Sequence, residues 1–143
     1  MSDNPRVIAD FKQNGGKPGG YFTNVPVLLL YTIGAKSGEE RLTPLMYLRQ
    51  EEDGPWHVFA TDGGAPKNPA WFHNLVAHPH AEIEIGDGAT IERIAVRARV
   101  LEGDERARMF GEQAKRYPNF GVYEEKTTRE TIPAVALTRH SGA

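Results

Sequence analysis

The sequence predicts a mainly β fold of the α+β class, in which a small antiparallel barrel carries flanking helices. Six segments have the apolar pattern of strands, and turn residues join several of them as hairpins. Helical patterns occur between them without the regular strand–helix–strand alternation of a parallel sheet. A chain of 143 residues can bury one core. We therefore expect a single domain over 1–143, with an N-terminal helix and connector over 1–24 and the barrel body over 25–143.

Composition excludes several classes of protein. The net charge of -2 provides no basic field for nucleic acid, and the chain has no cysteine for disulfides, thiolate catalysis or cysteine-ligated zinc. The first residues lack the pattern of a signal peptide, and no apolar run approaches the roughly 18 residues of a membrane span. We expect a cytoplasmic protein without nucleic-acid partners or stable membrane insertion.

The N-terminal pattern predicts a short helix. Asn4-Pro5 is a typical helix start, Val7, Ile8 and Phe11 share one face, and Gly15-Gly16 ends the pattern. A helix of about ten residues is marginal alone. We therefore expect this helix to dock on the body through its apolar face, which we favour over contact with a membrane.

Three strands follow, and their order along the chain predicts a three-stranded meander over Val27–Thr61. Val27–Leu30 is continuously apolar, so this strand should be buried on both faces. The second strand begins near Arg41 and contains Pro44, which indicates a bulge or a sheet edge. Trp56–Thr61 is the third strand.

The loop from Gly34 to Arg41 is open to two interpretations. Its glycines can turn the backbone so that N–H groups converge on an anion, with Lys36 and Arg41 adding positive charge. An ordinary hairpin turn explains the same residues without any ligand. The residues alone favour the turn.

A second informative segment follows the third strand. Gly63-Gly64 allows close approach to a ligand, and Asn68-Pro69 predicts a capped helix start whose exposed amides suit an anion. Trp71 and Leu75 would share the face of this helix that enters the core. A loop followed by a core-docking helix is the competing interpretation.

The remaining segments complete the predicted barrel. Ala81–Ile85 and Ala89–Leu101 form a hairpin around a glycine-rich turn, and Pro133–Thr138 is the closing strand. Arg93, Arg97 and Arg99 most simply form a solvated face opposite the glutamates, with an anionic-ligand groove as the alternative. Asp104–Tyr117 is an amphipathic helix with the apolar stripe Ala107, Phe110, Ala114 and Tyr117.

Several catalytic and binding motifs are excluded by their spacing. The Gly34-Ala35-Lys36-Ser37 run lacks the glycine that precedes the lysine of a phosphate-binding loop. Gly86-Asp87-Gly88 joins two strands, so it is no dinucleotide fingerprint. His73, His78 and His80 straddle a helix end, which argues against a metal site. No nucleophile elbow is present, so an active site here would take its chemistry from a cofactor.

Three segments together resemble the deazaflavin-dependent nitroreductase family of actinobacteria. They are TIGAKSGEERLTPLMY, ATDGGAPKNPAWFHNL and RYPNFGVYEEKTTRETIPAVAL, which cover most of the chain from Val27 to Leu137 in the family's order. The resemblance implies a split β-barrel, like that of FMN-binding proteins, and binding of coenzyme F420. This cofactor is an 8-hydroxy-5-deazaflavin with a phosphate-containing polyglutamate tail.

The resemblance also implies a set of cofactor contacts. Ala35, Lys36, Ser37 and Arg41 would meet the tail phosphate, and Pro44 would kink the second strand beside the cofactor. The full set expected to bind F420 is Ala35, Lys36, Ser37, Arg41, Leu42, Thr43, Pro44, Leu45, Met46, Phe59, Ala60, Thr61, Asp62, Ala70, Trp71, Phe72, His73 and Asn74.

The acceptor side rests on three aromatic residues. Tyr117, Phe120 and Tyr123 would form a lid for flat, electron-poor acceptors such as quinones, enones or nitroaromatics. Phe120 stands where the nitro-reducing members carry a tyrosine, and Asp62 stands where a lysine is common. These two residues argue against nitroimidazole reduction and leave quinone or enone reduction open. Tyr123 or Thr61 is the residue expected to make a catalytic polar contact.

Two classes of function follow from the resemblance. The first is an F420-dependent oxidoreductase that transfers hydride to a small-molecule acceptor. The second is a non-catalytic protein that binds or carries F420, flavin or haem. Split barrels often pair, which leaves a homodimer open, although no residue pattern marks an interface.

Overall fold

The computed structural model describes residues 4–19 and 25–140, and there six strands form one curled antiparallel sheet with four flanking helices. The predicted connector lies partly outside these residues, as do both chain ends. The strands are β1 (Val27–Ile33), β2 (Glu40–Met46), β3 (Trp56–Phe59), β4 (His80–Gly86), β5 (Ile91–Val100) and β6 (Ala134–Arg139). The helices are α1 (Asn4–Gln13), α2 (Ala70–Ala77), α3 (Gly103–Arg116) and α4 (Asn119–Lys126).

The strand order is β2-β1-β4-β5-β6-β3, so the predicted meander is confirmed for β1 and β2 and wrong for β3. β1 pairs with β2 and β4, whereas β3 pairs with β6 at the opposite edge. The sheet curls far enough for its two edges to meet, and Leu48 bridges to His57 there. β3 can therefore follow β2 in the chain and still belong to the other edge. Pro44 lies in edge strand β2, as predicted.

β1 is buried on both faces, as its apolar run predicts. Leu28 and Leu30 pack inside the barrel with Trp56 and Val58, while Leu29 belongs to a separate cluster on the other side. Leu28, Leu29 and Leu30 are each 0 % exposed. The strand therefore joins the barrel core to the layer that covers its outer face.

α1 docks on that outer face. Phe11 is fully buried in the cluster that contains Leu29 and Tyr31. After the helix, the backbone N–H of Gly88 donates to the carbonyl oxygen of Gly15 at 2.9 Å. A Cβ atom on Gly86 would overlap that same backbone, which explains why glycine stands in the β4–β5 hairpin here.

Gly86→Ala should destabilise the protein by about 1–3 kcal/mol, because backbone atoms that cannot rotate away fill the space a Cβ would need. Urea denaturation would measure the change. Gly111→Ala is a suitable control, since a Cβ there meets nothing within 4 Å and alanine favours the interior of α3. We expect the control to gain stability, and a Gly86→Ala protein as stable as wild type would contradict the close docking.

The C-terminal helices differ in two ways from the predictions. The buried residues of α3 are Met109, Phe110 and Gln113, and Ala107 is exposed, so the predicted stripe is wrong at that position. The contact face is displaced because α3 packs on both α4 and β6. α4 was not predicted as a helix, since its eight residues begin at a proline corner and bury only Phe120.

His57 lies where the two sheet edges meet. It is 7 % exposed, and its Nδ1 is 3.3 Å from the carbonyl oxygen of Leu48, which can only accept a hydrogen bond. Burial lowers the pKa of His57 below its ordinary value of 6.5. The unfolded chain therefore takes up this proton more readily than the folded protein does.

Stability should consequently fall as the pH drops below the unfolded pKa of 6.5, until the folded imidazole itself becomes protonated. His57→Asn keeps a donor for Leu48 but cannot titrate, so its urea midpoint should depend less on pH than the wild-type midpoint does. The comparison is made at about pH 5 and about pH 8, on either side of the transition. His73→Asn, at an exposed site, is the control. Identical pH dependence in wild type and His57→Asn would contradict the assignment.

Candidate functional site

Two adjoining cavities open between β2, α2 and α4. The larger has a volume of about 790 Å³, and we call it the large cleft. The smaller, of about 510 Å³, lies beside the β1–β2 loop, and we call it the loop groove. Thr43, Ala70 and Trp71 line both cavities. The two cavities therefore border one another at these three residues.

The predicted contact residues fall on both walls. Those lining the loop groove are Ala35, Lys36, Ser37, Arg41, Leu42, Thr43, Ala70, Trp71, His73 and Asn74. Those lining the large cleft are Thr43, Pro44, Leu45, Met46, Phe59, Thr61, Asp62, Ala70, Trp71, Phe120 and Tyr123. Within the described part of the chain, Ala60, Phe72 and Tyr117 line neither cavity, because Ala60 is buried in the core and the two rings pack against core clusters.

The β1–β2 loop presents cations at the groove. Its backbone is closed by the N–H of Gly34, which donates to the carbonyl oxygen of Glu39 at 2.8 Å. Ser37 accepts a hydrogen bond from the N–H of Glu39 at 3.2 Å. Lys36 and Arg41 are exposed on the groove wall, and Arg41 lies 3.4 Å from the Glu39 carboxylate. The loop is thus a well-formed turn that also carries positive charge into a cavity.

Asn74 of α2 fixes this loop in place. It is 6 % exposed, and its Oδ1 accepts the backbone N–H of Ala35 at 2.9 Å. Its Nδ2 donates to the Thr32 hydroxyl at 3.1 Å. Both the oxygen and the nitrogen of the Asn74 amide are therefore hydrogen-bonded within the protein, and the N–H of Ala35 is occupied by the same contact. We expect both residues to shape the groove more than to bind a ligand through these groups.

The start of α2 differs from the predicted cap. Pro69 occupies the N-cap position with an extended backbone, and no side chain caps the helix there. The Oδ1 of Asn68 instead accepts a hydrogen bond from Arg129 at 2.6 Å, so the predicted Asn68 cap is wrong. The first amides of α2, at Ala70 and Trp71, lie at the border of the two cavities. A helix N-terminus at that point favours a negatively charged group.

Aromatic rings form one side of the large cleft. The ring of Phe59 meets those of Phe110 and Phe120 edge to face, with centroids 5.7 Å and 6.0 Å away. Phe120 is only 5 % exposed, so its ring supports the cleft from within the core. Tyr123 is half-buried on the wall, and its hydroxyl oxygen lies 3.1 Å from the Nδ2 of Asn119. The amide can only donate in this contact, so the Tyr123 proton is left for another acceptor.

The turn that follows β3 is unusually tight. Asp62 has φ of 44°, in the left-handed region that few non-glycine residues adopt, and it is exposed on the cleft wall. Gly64 is buried against α4, where a Cβ would come within 3.0 Å of the Tyr123 carbonyl oxygen. The turn and α4 therefore pack backbone to backbone on the same side of the cleft.

Arg129 is a residue of this region that sequence reasoning missed. Its guanidinium donates to the carbonyl oxygens of Ala60 and Thr61, both at 2.7 Å, and to the side chain of Asn68. Burial lowers its pKa, although an arginine in this position stays charged near neutral pH. The contacts join residues more than 60 positions apart, and no spacing in the sequence signals them.

Other cavity-lining residues were absent from the predicted set of F420 contacts. They are Gly63, Ala65, Pro66, Lys67, Asn68, Pro69 and Asn119, together with Gly34 on the loop groove. Most belong to the β3–α2 connection, and the motif ATDGGAPKNPAWFHNL could have indicated that whole segment. Over residues 4–19 and 25–140, no three metal-ligating side chains are grouped around a common point. In the same residues, no helix has the length and apolar character needed to cross a membrane.

Comparison with known proteins gives consistent matches. A family model described as F420H(2)-dependent quinone reductase matches residues 6–139. An F420H(2)-dependent quinone reductase of Mycobacterium tuberculosis is 38% identical over 120 residues, covering 80% of this chain and 74% of the relative. The solved structure of an F420-H2 dependent reductase is 37% identical with a TM-score of 0.66, covering 78% of this chain and 93% of that one. A structure described as a domain-swapped dimer is 38% identical with a TM-score of 0.64, covering 78% and 79%.

Proposed function

The chain belongs to the family of F420H(2)-dependent quinone reductases, and we propose that its two cavities bind different parts of the cofactor. The protein is an F420-dependent reductase that transfers hydride from reduced F420 to a quinone. In our proposal the large cleft holds the deazaflavin ring together with the acceptor. The loop groove holds the anionic tail of the cofactor.

The shared border of the two cavities is the observation that carries this proposal. F420 joins a flat ring to a negatively charged tail, and the site has an aromatic end and a cationic end that meet at Thr43, Ala70 and Trp71. Trp71 is 6 % exposed and packed in the core, so the core holds this side chain at the border. The residues present therefore fit both parts of the cofactor, in two cavities that share a border.

The tail would be held by charge and by backbone amides. Lys36 and Arg41 bring positive charge to the groove, and Ser37 can add a hydroxyl. The uncapped start of α2 faces the same border, where its dipole favours the phosphate nearest the ring. Asn74 would act indirectly, since it holds the loop at the Ala35 N–H.

The acceptor would lie against the aromatic side of the large cleft. Bound reduced F420 supplies a hydride, and a quinone that accepts it needs one proton to become the hydroquinone. Tyr123 can hydrogen-bond the quinone oxygen, because Asn119 occupies its oxygen as a donor and leaves its proton available. The rings of Phe59 and Phe120 would keep water from the reacting atoms. Thr61 is the second candidate for the polar contact.

The same wall limits the acceptors. Phe120 is buried between Phe59 and Phe110 and has no hydroxyl to offer, and Asp62 adds negative charge at the rim. We therefore propose that neutral quinones and enones are reduced faster than nitroimidazoles.

We also propose that the protein forms a homodimer and is located in the cytoplasm. Sedimentation of the purified protein would test the homodimer.

The deciding experiment separates binding from turnover. Oxidised F420 is titrated into the protein to measure affinity, and reduced F420 is then mixed with a panel of quinones, enones and nitroimidazoles while the oxidised absorbance returns. Binding with rapid quinone turnover is the expected result. Binding without turnover across the whole panel would favour the non-catalytic carrier, and no binding would overturn the proposal.

A further inference from the structure

Arg129 connects several parts of the large cleft through one guanidinium. Nη1 donates to the carbonyl oxygen of Ala60 at 2.7 Å and to the Oδ1 of Asn68 at 2.6 Å, and Nη2 donates to the carbonyl oxygen of Thr61 at 2.7 Å. Its Nε donates to the hydroxyl of Thr127 at 3.1 Å. The planar fork of an arginine can hold such separately placed acceptors at once, which an ammonium cannot match in geometry.

Thr127 extends this network to α4. Its backbone N–H donates to the carbonyl oxygen of Tyr123 at 3.0 Å, where α4 ends, and its hydroxyl donates to the carbonyl oxygen of Ala65 at 3.0 Å. Thr127 therefore touches the helix that carries Tyr123, the β3–α2 connection and Arg129. The network therefore connects the Tyr123 side of the large cleft to the wall at Thr61.

The hydrogen-bond acceptors of Arg129 lie at or next to the wall of the large cleft. Thr61 and Asn68 both line the large cleft, and Ala60 directly precedes Thr61. The exposed, left-handed turn at Asp62 comes immediately after these carbonyl groups. The guanidinium therefore holds backbone and side-chain groups that border the cleft.

We propose that Arg129 is a positioning residue for hydride transfer, which holds the Thr61–Asn68 wall at a set distance from α4. The deazaflavin ring of F420 would lie on that wall and the quinone beside Tyr123. Arg129 would keep the distance and the alignment between these two that hydride transfer requires. This inference rests on the proposed function of the cleft. A misplacement of about 1 Å can lower a rate by about 100-fold, so the expected loss is in turnover.

The test compares Arg129→Ala, Arg129→Lys and Arg49→Ala with wild type. Arg49 is the matched control, because it also donates to a backbone carbonyl, that of Gly54 at 2.9 Å, and stacks on Trp56 away from both cavities. The measurements are F420 affinity, kcat and KM for a quinone that the wild type reduces, and the melting temperature. Arg129→Ala should lower kcat by about 10- to 100-fold at temperatures where it is folded. Arg49→Ala should keep wild-type kcat even if it melts earlier.

Chemical rescue distinguishes positioning from general stability. Millimolar methylguanidinium should restore part of the kcat of Arg129→Ala, while methylammonium at the same concentration should not. If Arg129→Ala does not fold, Arg129→Lys keeps the charge without the fork and should show the kcat loss. Wild-type kcat in either folded variant, or equal rescue by both cations, would overturn the inference. Failure of the wild type itself to bind F420 would instead overturn the proposed function on which it rests.

Discussion

Lys36→Ala combined with Arg41→Ala should raise the Kd for oxidised F420 by about 10- to 100-fold. A charge-assisted hydrogen bond contributes roughly 1.5–3 kcal/mol, and each tenfold change in Kd corresponds to about 1.4 kcal/mol. Both side chains are exposed, and Arg41 already lies 3.4 Å from the Glu39 carboxylate. Solvent and this neighbouring charge weaken each contact, so the loss should stay below the sum of two full interactions.

Lys115→Ala with Arg116→Ala is the matched control for this experiment. It removes two positive charges from the last turn of α3, where both side chains pair with Glu112 and line neither cavity among the described residues. Fluorescence titration at low and high salt would measure both double variants. The F420 affinity of the Lys36→Ala, Arg41→Ala variant should also depend much less on salt concentration than the wild-type affinity does. Unchanged affinity in the loop variant, or an equal loss in the control, would remove the tail assignment.

Tyr123→Phe should lower kcat for quinone reduction by about 100-fold while leaving F420 affinity close to wild type. General acid catalysis by a placed side chain is commonly worth 10²–10⁴-fold, and the Tyr123 hydroxyl is the group on the cleft wall whose oxygen is already held by Asn119. Only the hydroxyl is removed, so the ring contact with Phe120 is retained.

A solvent isotope effect makes this prediction specific. The wild-type rate should fall in deuterium oxide if the hydroxyl proton moves during reduction, and the effect should shrink in Tyr123→Phe. Tyr31→Phe is the control, since Tyr31 donates to Glu84 on the outer face of the sheet, away from the large cleft. Should Tyr123→Phe keep its kcat, the polar contact is assigned to Thr61 if Thr61→Val loses activity, and to neither residue if it does not.

Local pattern was sufficient for much of the fold. The apolar run Val27–Leu30 predicted a strand buried on both faces, and Pro44 predicted a bulge or a sheet edge, of which the structure has the edge. The glycines and cations between Gly34 and Arg41 predicted a turn with a binding option, and that loop does border a cavity. These features depend on residues within a few positions of one another, which is the range over which periodicity and turn chemistry act.

Tertiary structure decided how those segments meet. No local pattern shows that β3 crosses to the far edge of the sheet, because the curl that brings Leu48 to His57 depends on all six strands. The contacts that Asn74 makes with β1 and the β1–β2 loop, and that Arg129 makes with the β3–α2 connection, are likewise not signalled by the sequence, because these partners lie about 40 and 60 to 70 positions away. The strands, the cationic loop and the family resemblance were all predictable from the sequence. The two cavities share a border only because long-range packing places Ala70 and Trp71 of α2 beside both of them.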